Sequence, residues 1–373
     1  MSYQVLARKW RPQNFEQMVG QQHVLRALLT SLNENRLHHA YLFTGTRGVG
    51  KTTIARIFAK SLNCETGISA APCGTCRSCI EIAEGRHVDL IEVDAASRTK
   101  VEDTRDLLDN VQYAPTHGRF KIYLIDEVHM LSSHSFNALL KTLEEPPPHV
   151  KFLFATTDPQ KLPVTILSRC LQFSLKRMSV DMISTYLGEV LKEEAVEFTD
   201  PALRVIARAA DGSMRDALSL TDQAIVTGEG KVQDQSVQDM LGMLPHEHLF
   251  ALLKALQASD ATEVLAVIEG MAQLTTDFLQ AADSLISMLH QLAITQVVPQ
   301  DDLDADLKQL SEQISSADLQ LYYQMALYGR RDLPLNPDPR SGFEMLLLRM
   351  LAFQLDNRTK TPLQSNSEPK KKL

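Results

Sequence analysis

Short, largely apolar runs punctuate the first half of the chain, at residues 40–44, 88–93, 120–125, 150–156 and 170–175. Segments at 21–33, 51–62, 101–112 and 135–145 instead repeat their apolar residues at the spacing of one helix face. A strand buried on both faces reads as a continuous run rather than an alternation. The pattern therefore predicts a parallel sheet covered by helices over residues 1–178. After Met178 the strand signals fade. Residues 180–194, 201–210 and 214–226 read as helices, with turns at Asp211-Gly212-Ser213 and at Thr227-Gly228-Glu229-Gly230. From about residue 243 the pattern is helical throughout, broken at 333–339 by three prolines. Residues 358–373 hold no aromatic residue and end Glu368-Pro369-Lys370-Lys371-Lys372, which reads as a disordered linker. The expected division is 1–178, 179–242, 243–357 and 358–373. No internal repeat is present.

Chemistry concentrates where the first run ends. Gly45-Thr46-Arg47-Gly48-Val49-Gly50-Lys51-Thr52 fits G-x-x-x-x-G-K-[ST] in full, with Thr53 beside it. Glycines let backbone N–H groups turn inward around phosphate oxygens, and the following helix aims its positive end at them. Lys51 is expected to reach the β- and γ-phosphates of ATP, and Thr52 to ligate Mg²⁺. A glycine turn matching by chance would lack the strand before and the helix after. A second carboxylate-bearing strand end, Asp126-Glu127, would hold the magnesium through Asp126 and orient or deprotonate water through Glu127. By itself the pair could end a strand in solvent; downstream of an intact phosphate loop the catalytic reading is stronger.

Cysteine usage adds a second element. Four of the five cysteines fall at Cys64, Cys73, Cys76 and Cys79. Four thiolates at that spacing suit tetrahedral Zn²⁺ in a structural site, with an iron–sulfur cluster or free thiols as alternatives. Cys170 stands alone and reads as a buried apolar residue. With 38 basic and 46 acidic residues the net charge is -8, so any contact with DNA needs a local basic patch. No run approaches the length of a membrane helix, and Met1 to Arg11 lacks an apolar signal core, so a cytoplasmic protein is expected.

Taken together, several segments resemble the AAA+ clamp-loader ATPases. They are Leu6-Ala7-Arg8-Lys9-Trp10-Arg11-Pro12 with Phe15 and Val19-Gly20-Gln21, the phosphate loop, the four-cysteine insert, Asp126-Glu127-Val128-His129-Met130, Leu143-Glu144-Glu145-Pro146-Pro147 and Ser168-Arg169-Cys170. The resemblance implies an α/β P-loop AAA+ core, a small helical lid and an all-helical oligomerisation collar. It implies that Arg11, Pro12 and Val19 wall the adenine. Thr157 would sense the γ-phosphate, and Arg215 would reach the nucleotide from the lid. Arg169 would act on ATP bound by a neighbouring subunit, so that a monomer is a poor ATPase. The implied task is opening a ring-shaped sliding clamp and loading it on primed DNA. The implied partners are other loader subunits, copies of this chain, the clamp and primer–template DNA, with polymerase and helicase contacted by a longer form. Arg98, Lys100 and Lys141 are candidates for DNA phosphates, or equally a solvated charged face. A helicase or branch-migration motor is the first rival, since Asp126-Glu127-Val128-His129 resembles a D-E-x-H box. A non-catalytic nucleotide-binding scaffold is the second.

Overall fold

The computed structural model of the chain describes residues 4–97, 110–242, 246–274, 277–298 and 305–353. They form two compact units, Met1–Val237 and Gln238–Leu373.

The first unit is built on five parallel strands: β1 (Ala40–Thr44), β2 (Leu90–Asp94), β3 (Lys121–Asp126), β4 (Val150–Thr156) and β5 (Leu171–Ser174), in the order β2-β3-β4-β1-β5. Alternate residues of one strand serve different cores. Tyr41 and Phe43 pack with the helices Gln22–Asn33 and Lys51–Asn63, through Leu28, Ile54 and Phe58. Ala40 and Leu42 face the other way, toward Leu139 and Leu143 of the helix Ser133–Glu144. Each fully buried Phe or Leu contributes about 1.5–3 kcal/mol, and a one-residue slip would exchange the two faces. That is why β1 and β4 are apolar at nearly every position and buried along their whole length.

β5 departs from the expectation of a buried run. It pairs only with β1, and Leu171, Gln172 and Ser174 are exposed. An edge strand has one neighbour, so its apolar residues find cover on one side only. Cys170, just before it, is half-buried against the Leu139 side of the sheet, and burial pushes its thiol up to about 12.

The sheet is followed by three helices, Val180–Glu193, Asp200–Ala209 and Met214–Thr227. Ser179 and Ser213 cap two of them by accepting from Met182 N and Asp216 N, and Pro201 opens the third in its first turn. Between them Glu197–Phe198 and Lys231–Val232 form a two-residue parallel pair. It was not expected, because two residues are too short to show a period. Of the helical pattern at 101–112, the described part is a 3₁₀ turn at Asn110–Gln112; the rest lies outside the described residues.

The second unit is helical throughout its described residues, with the helices His246–Ala258, Ala261–Leu274, Phe278–Val297, Ala305–Gln313, Ser316–Asp332 and Pro339–Ala352 around one apolar cluster. The proline-rich break falls at a 3₁₀ turn, Leu333–Leu335, and Asp338 then caps the last helix through Arg340 N and Ser341 N. Among the described residues no helix is long and apolar enough to cross a membrane. The linker expected at 358–373 lies outside the described residues.

Candidate active site

Parallel strands end on one edge of a sheet, and their register decides what meets there. Thr44 of β1 pairs with Thr156 of β4, and Ile125 of β3 pairs with Phe154. Gly45, Asp126-Glu127 and Thr157 therefore leave the sheet side by side. The glycine loop turns here with Gly48 at φ 76° and Gly50 at φ 104°, a left-handed region that side chains rarely adopt. Gly48 is constrained twice. A Cβ there would lie 1.7 Å from Ser213 Oγ, the cap of the helix Met214–Thr227.

Lys51 opens the helix Lys51–Asn63 and is 5% exposed. Its Nζ donates to Gly45 O at 2.9 Å and Thr46 O at 3.0 Å, and lies 4.0 Å from Glu127 Oε1. Burial lowers its pKa, against the pull of Glu127 and Asp126. Thr52 Oγ1 donates to Asp126 Oδ2 at 2.6 Å, so the two expected magnesium ligands already share one point in space. Thr46 Oγ1 is buried without a partner, as a donor aimed at a phosphate oxygen would be. The hydroxyl–carboxylate pair and this orphaned donor fit a magnesium nucleoside triphosphate.

Glu127 adopts φ 47° and turns its carboxylate across to β4. Glu127 Oε2 accepts from Thr157 N at 3.0 Å and from Thr157 Oγ1 at 2.9 Å. His129 Nδ1 lies 3.4 Å from the same oxygen and 2.8 Å from Thr156 Oγ1. Thr157, expected as a phosphate sensor, thus touches the expected base.

These residues open into a cavity of about 810 Å³. Arg11, Pro12, Val19, Arg47, Val49, Gly50, Thr53 and Arg215 line it together with Gly48, Lys51, Thr52, Asp126 and Glu127. Arg11 Nε donates to Thr53 Oγ1 at 3.2 Å, and burial, with Arg56 and Arg215 nearby, pushes its pKa down to about 10. Sequence reasoning missed Trp10, Tyr186 and Met214, which also line the cavity. Trp10 was visible only as the neighbour of Arg11; no periodicity marks the other two.

Arg169 is outside this cavity. It donates to Thr165 O at 2.8 Å and to Glu144 Oε1 at 2.9 Å. Lys141 is exposed on the helix Ser133–Glu144. Arg98 and Lys100 lie outside the described residues.

The cysteine cluster closes the helix Lys51–Asn63 and opens the helix Arg77–Glu84. The sulfurs of Cys64, Cys73, Cys76 and Cys79 lie within 4.8 Å of one another. Sulfurs about 2.3 Å from one zinc ion sit about 3.8 Å apart, so the set fits a single tetrahedral metal. Backbone amides point at them: Cys73 Sγ accepts from Cys76 N at 3.3 Å and Cys76 Sγ from Cys79 N at 3.4 Å. Amides of Cys76 and Thr75 push the Cys73 thiol down to about 6, toward the thiolate that binds metal.

Three families match in succession. Residues 20–179 match "DNA polymerase III, delta subunit", residues 182–230 "DNA polymerase III clamp loader subunit, ATPase lid domain", and residues 232–362 "DNA polymerase III subunits gamma and tau domain III". The chain is similar to DNA polymerase III subunit tau of Escherichia coli strain K12, 59% identical over 359 residues that cover 95% of this chain and 56% of that protein. It is also similar to DNA polymerase III subunit gamma of Buchnera aphidicola subsp. Baizongia pistaciae, 45% identical over 94% of this chain and 97% of that one. The chain thus spans little more than half the length of the tau relatives and nearly all of the gamma relative.

Proposed function

The chain belongs to the gamma/tau family of DNA polymerase III clamp-loader subunits, and we propose that it is an ATP-hydrolysing motor of such a loader, which opens a ring-shaped sliding clamp and places it on primed DNA. The observation that carries the ATPase part is the Thr52–Asp126 contact beside the buried Lys51. Loop amides, Lys51 and the Thr46 hydroxyl hold the phosphates. Thr52 and Asp126 hold Mg²⁺, which neutralises charge on the phosphate oxygens. Glu127 orients the attacking water and takes its proton once its carboxylate leaves Thr157. Arg11, Pro12 and Val19 wall the base, and Arg215 reaches the nucleotide from the lid. Arg169 supplies its guanidinium to the nucleotide of a neighbouring subunit, in keeping with its absence from its own cavity.

The same reading assigns the divisions 1–178 to the core with its insert at 64–79, 179–242 to the lid and 243–357 to the collar. It assigns structural Zn²⁺ to the four cysteines. The partners are other loader subunits, copies of this chain, the clamp and primer–template DNA, in the cytoplasm; a longer form would contact polymerase and helicase. Arg98, Lys100 and Lys141 are the proposed phosphate contacts on DNA. A helicase reading is not favoured, since the described residues after Met178 contain no second α/β motor.

Steady-state hydrolysis by the chain with its loader partners and clamp, with and without primed DNA, tests this. Stimulation by clamp plus DNA, abolished by Lys51→Ala, is expected. Hydrolysis indifferent to both would leave an ATPase that is not a clamp loader.

A further inference from the structure

The N-terminal strap is tied to two bodies that meet at the nucleotide cavity. Leu6 N donates to Asp222 Oδ2 at 2.8 Å, on the lid helix Met214–Thr227. Lys9 Nζ lies 2.7 Å from Glu194 Oε1, and Trp10 Nε1 donates to the same oxygen at 2.7 Å. Glu194 ends the lid helix Val180–Glu193. Tyr186 OH, on that helix, donates to Trp10 O at 3.4 Å. One residue further on, Arg11 is bonded to Thr53 of the phosphate-loop helix instead. The chain crosses from lid to core between Trp10 and Arg11, and both side chains line the cavity.

The cavity lining is chemically mixed. Lys51, Thr52, Asp126 and Glu127 supply polar groups. Trp10, Pro12, Val19, Met178, Tyr186 and Leu218 supply aromatic and apolar ones, suited to a flat heterocycle. An indole N–H in such a place requires an acceptor, and a half-buried carboxylate shared with Lys9 is a strong one. The Lys9 ammonium and the Trp10 N–H together hold Glu194 below the usual carboxylate range, although burial opposes this.

We propose that Glu194 is a positioning residue for nucleotide binding: through the Trp10 N–H it fixes the indole in the cavity lining, so that the lid's grip on this strap sets affinity for the base and not for the phosphates. The proposal rests on the nucleotide reading of the cavity. It predicts that a lid residue with no contact to the loop tunes base recognition.

Trp10 is the chain's one tryptophan, so its emission reports on this place alone. Binding of Mg²⁺–ATP and of Mg²⁺–tripolyphosphate would be measured on the full chain, Glu194→Ala, Glu194→Gln and Trp10→Phe. Glu194→Ala should weaken ATP roughly tenfold, the effect of losing one charge-assisted hydrogen bond. It should leave tripolyphosphate unchanged and shift Trp10 emission to the red. Glu194→Gln, which still offers the indole an acceptor, should restore most of the ATP affinity. In the Trp10→Phe background, Glu194→Ala should have little further effect. Equal losses for both ligands, unchanged ATP affinity in Glu194→Ala, or additive losses in the double variant would each overturn the proposal while wild-type ATP binding left the nucleotide reading standing. A wild-type chain that binds no ATP would remove both.

Discussion

Glu127 is a residue at which backbone and chemistry conflict. A non-glycine residue at φ 47° costs about 1 kcal/mol. Here the turn places its carboxylate on Thr157 N and Oγ1, 4.0 Å short of Lys51 on its other oxygen. A carboxylate oxygen occupied by two donors is not free to take a proton from water, so the proposed base role requires that this pair separate. Glu127→Gln should keep ATP affinity and lower kcat by about 10²–10⁴, the usual worth of a general base. A variant with the wild-type turnover would place the base elsewhere. Glu127 was legible as a candidate because an acidic pair ends an apolar run. Its bond to Thr157 was not, because residues 30 apart in sequence carry no mutual signal until the register of β3 on β4 joins them.

At the scale of elements, the zinc-type insert and the strand that delivers Asp126 are joined. Asn63 Nδ2 donates to Phe120 O at 2.8 Å and its Oδ1 accepts from Phe120 N at 2.9 Å; Arg119 donates to Cys64 O. The phosphate-loop helix and the start of β3 are thus fastened at the end away from the nucleotide. Strong chelation should lower the melting temperature of the chain. Cys76→Ser should produce the same loss and make the chelator ineffective; a melting point indifferent to chelation would argue for free thiols. The segment leading into β3 is pinned by Asp89, which accepts from Thr116 N at 2.6 Å, His117 N at 2.7 Å and Gly118 N at 2.6 Å. Burial raises the Asp89 pKa, but these three amides outweigh it and the net shift is downward. A pKa depressed on folding contributes stability that is present above the unfolded value of about 3.9 and lost as pH falls through the folded one. Asp89→Asn should therefore cost roughly 1–3 kcal/mol at pH 7, and the difference from wild type should shrink below about pH 4 in denaturant titrations. A pH-independent difference would show that the amides do not select the charged form.

For the whole molecule, the proposed residue acting between subunits, Arg169, lies outside its own cavity. Arg169 is held by Glu144 and Thr165 O within the chain. Arg169→Ala should leave ATP binding to the isolated chain unchanged and reduce hydrolysis by about 10³ or more in the assembled loader, the scale of an arginine finger. A wild-type rate in the assembly would make Arg169 a local ion pair. The sequence by itself determined the five runs that form the main sheet, the glycine loop, the four-cysteine set and the break at the three prolines. Each of those is a local signal: a run, a period, a spacing of a few residues. It also marked Arg11, Arg215 and Thr157 as candidates through resemblance. Only the tertiary structure decided that Leu171 sits on an exposed edge, that Ser213 of the lid seals Gly48, that Asp126 meets Thr52, and that Glu194 grips Trp10. Those contacts join residues 52 and 126, 48 and 213, 10 and 194. They arise when strand register and helix packing bring distant segments together, and no local pattern encodes which segments those are.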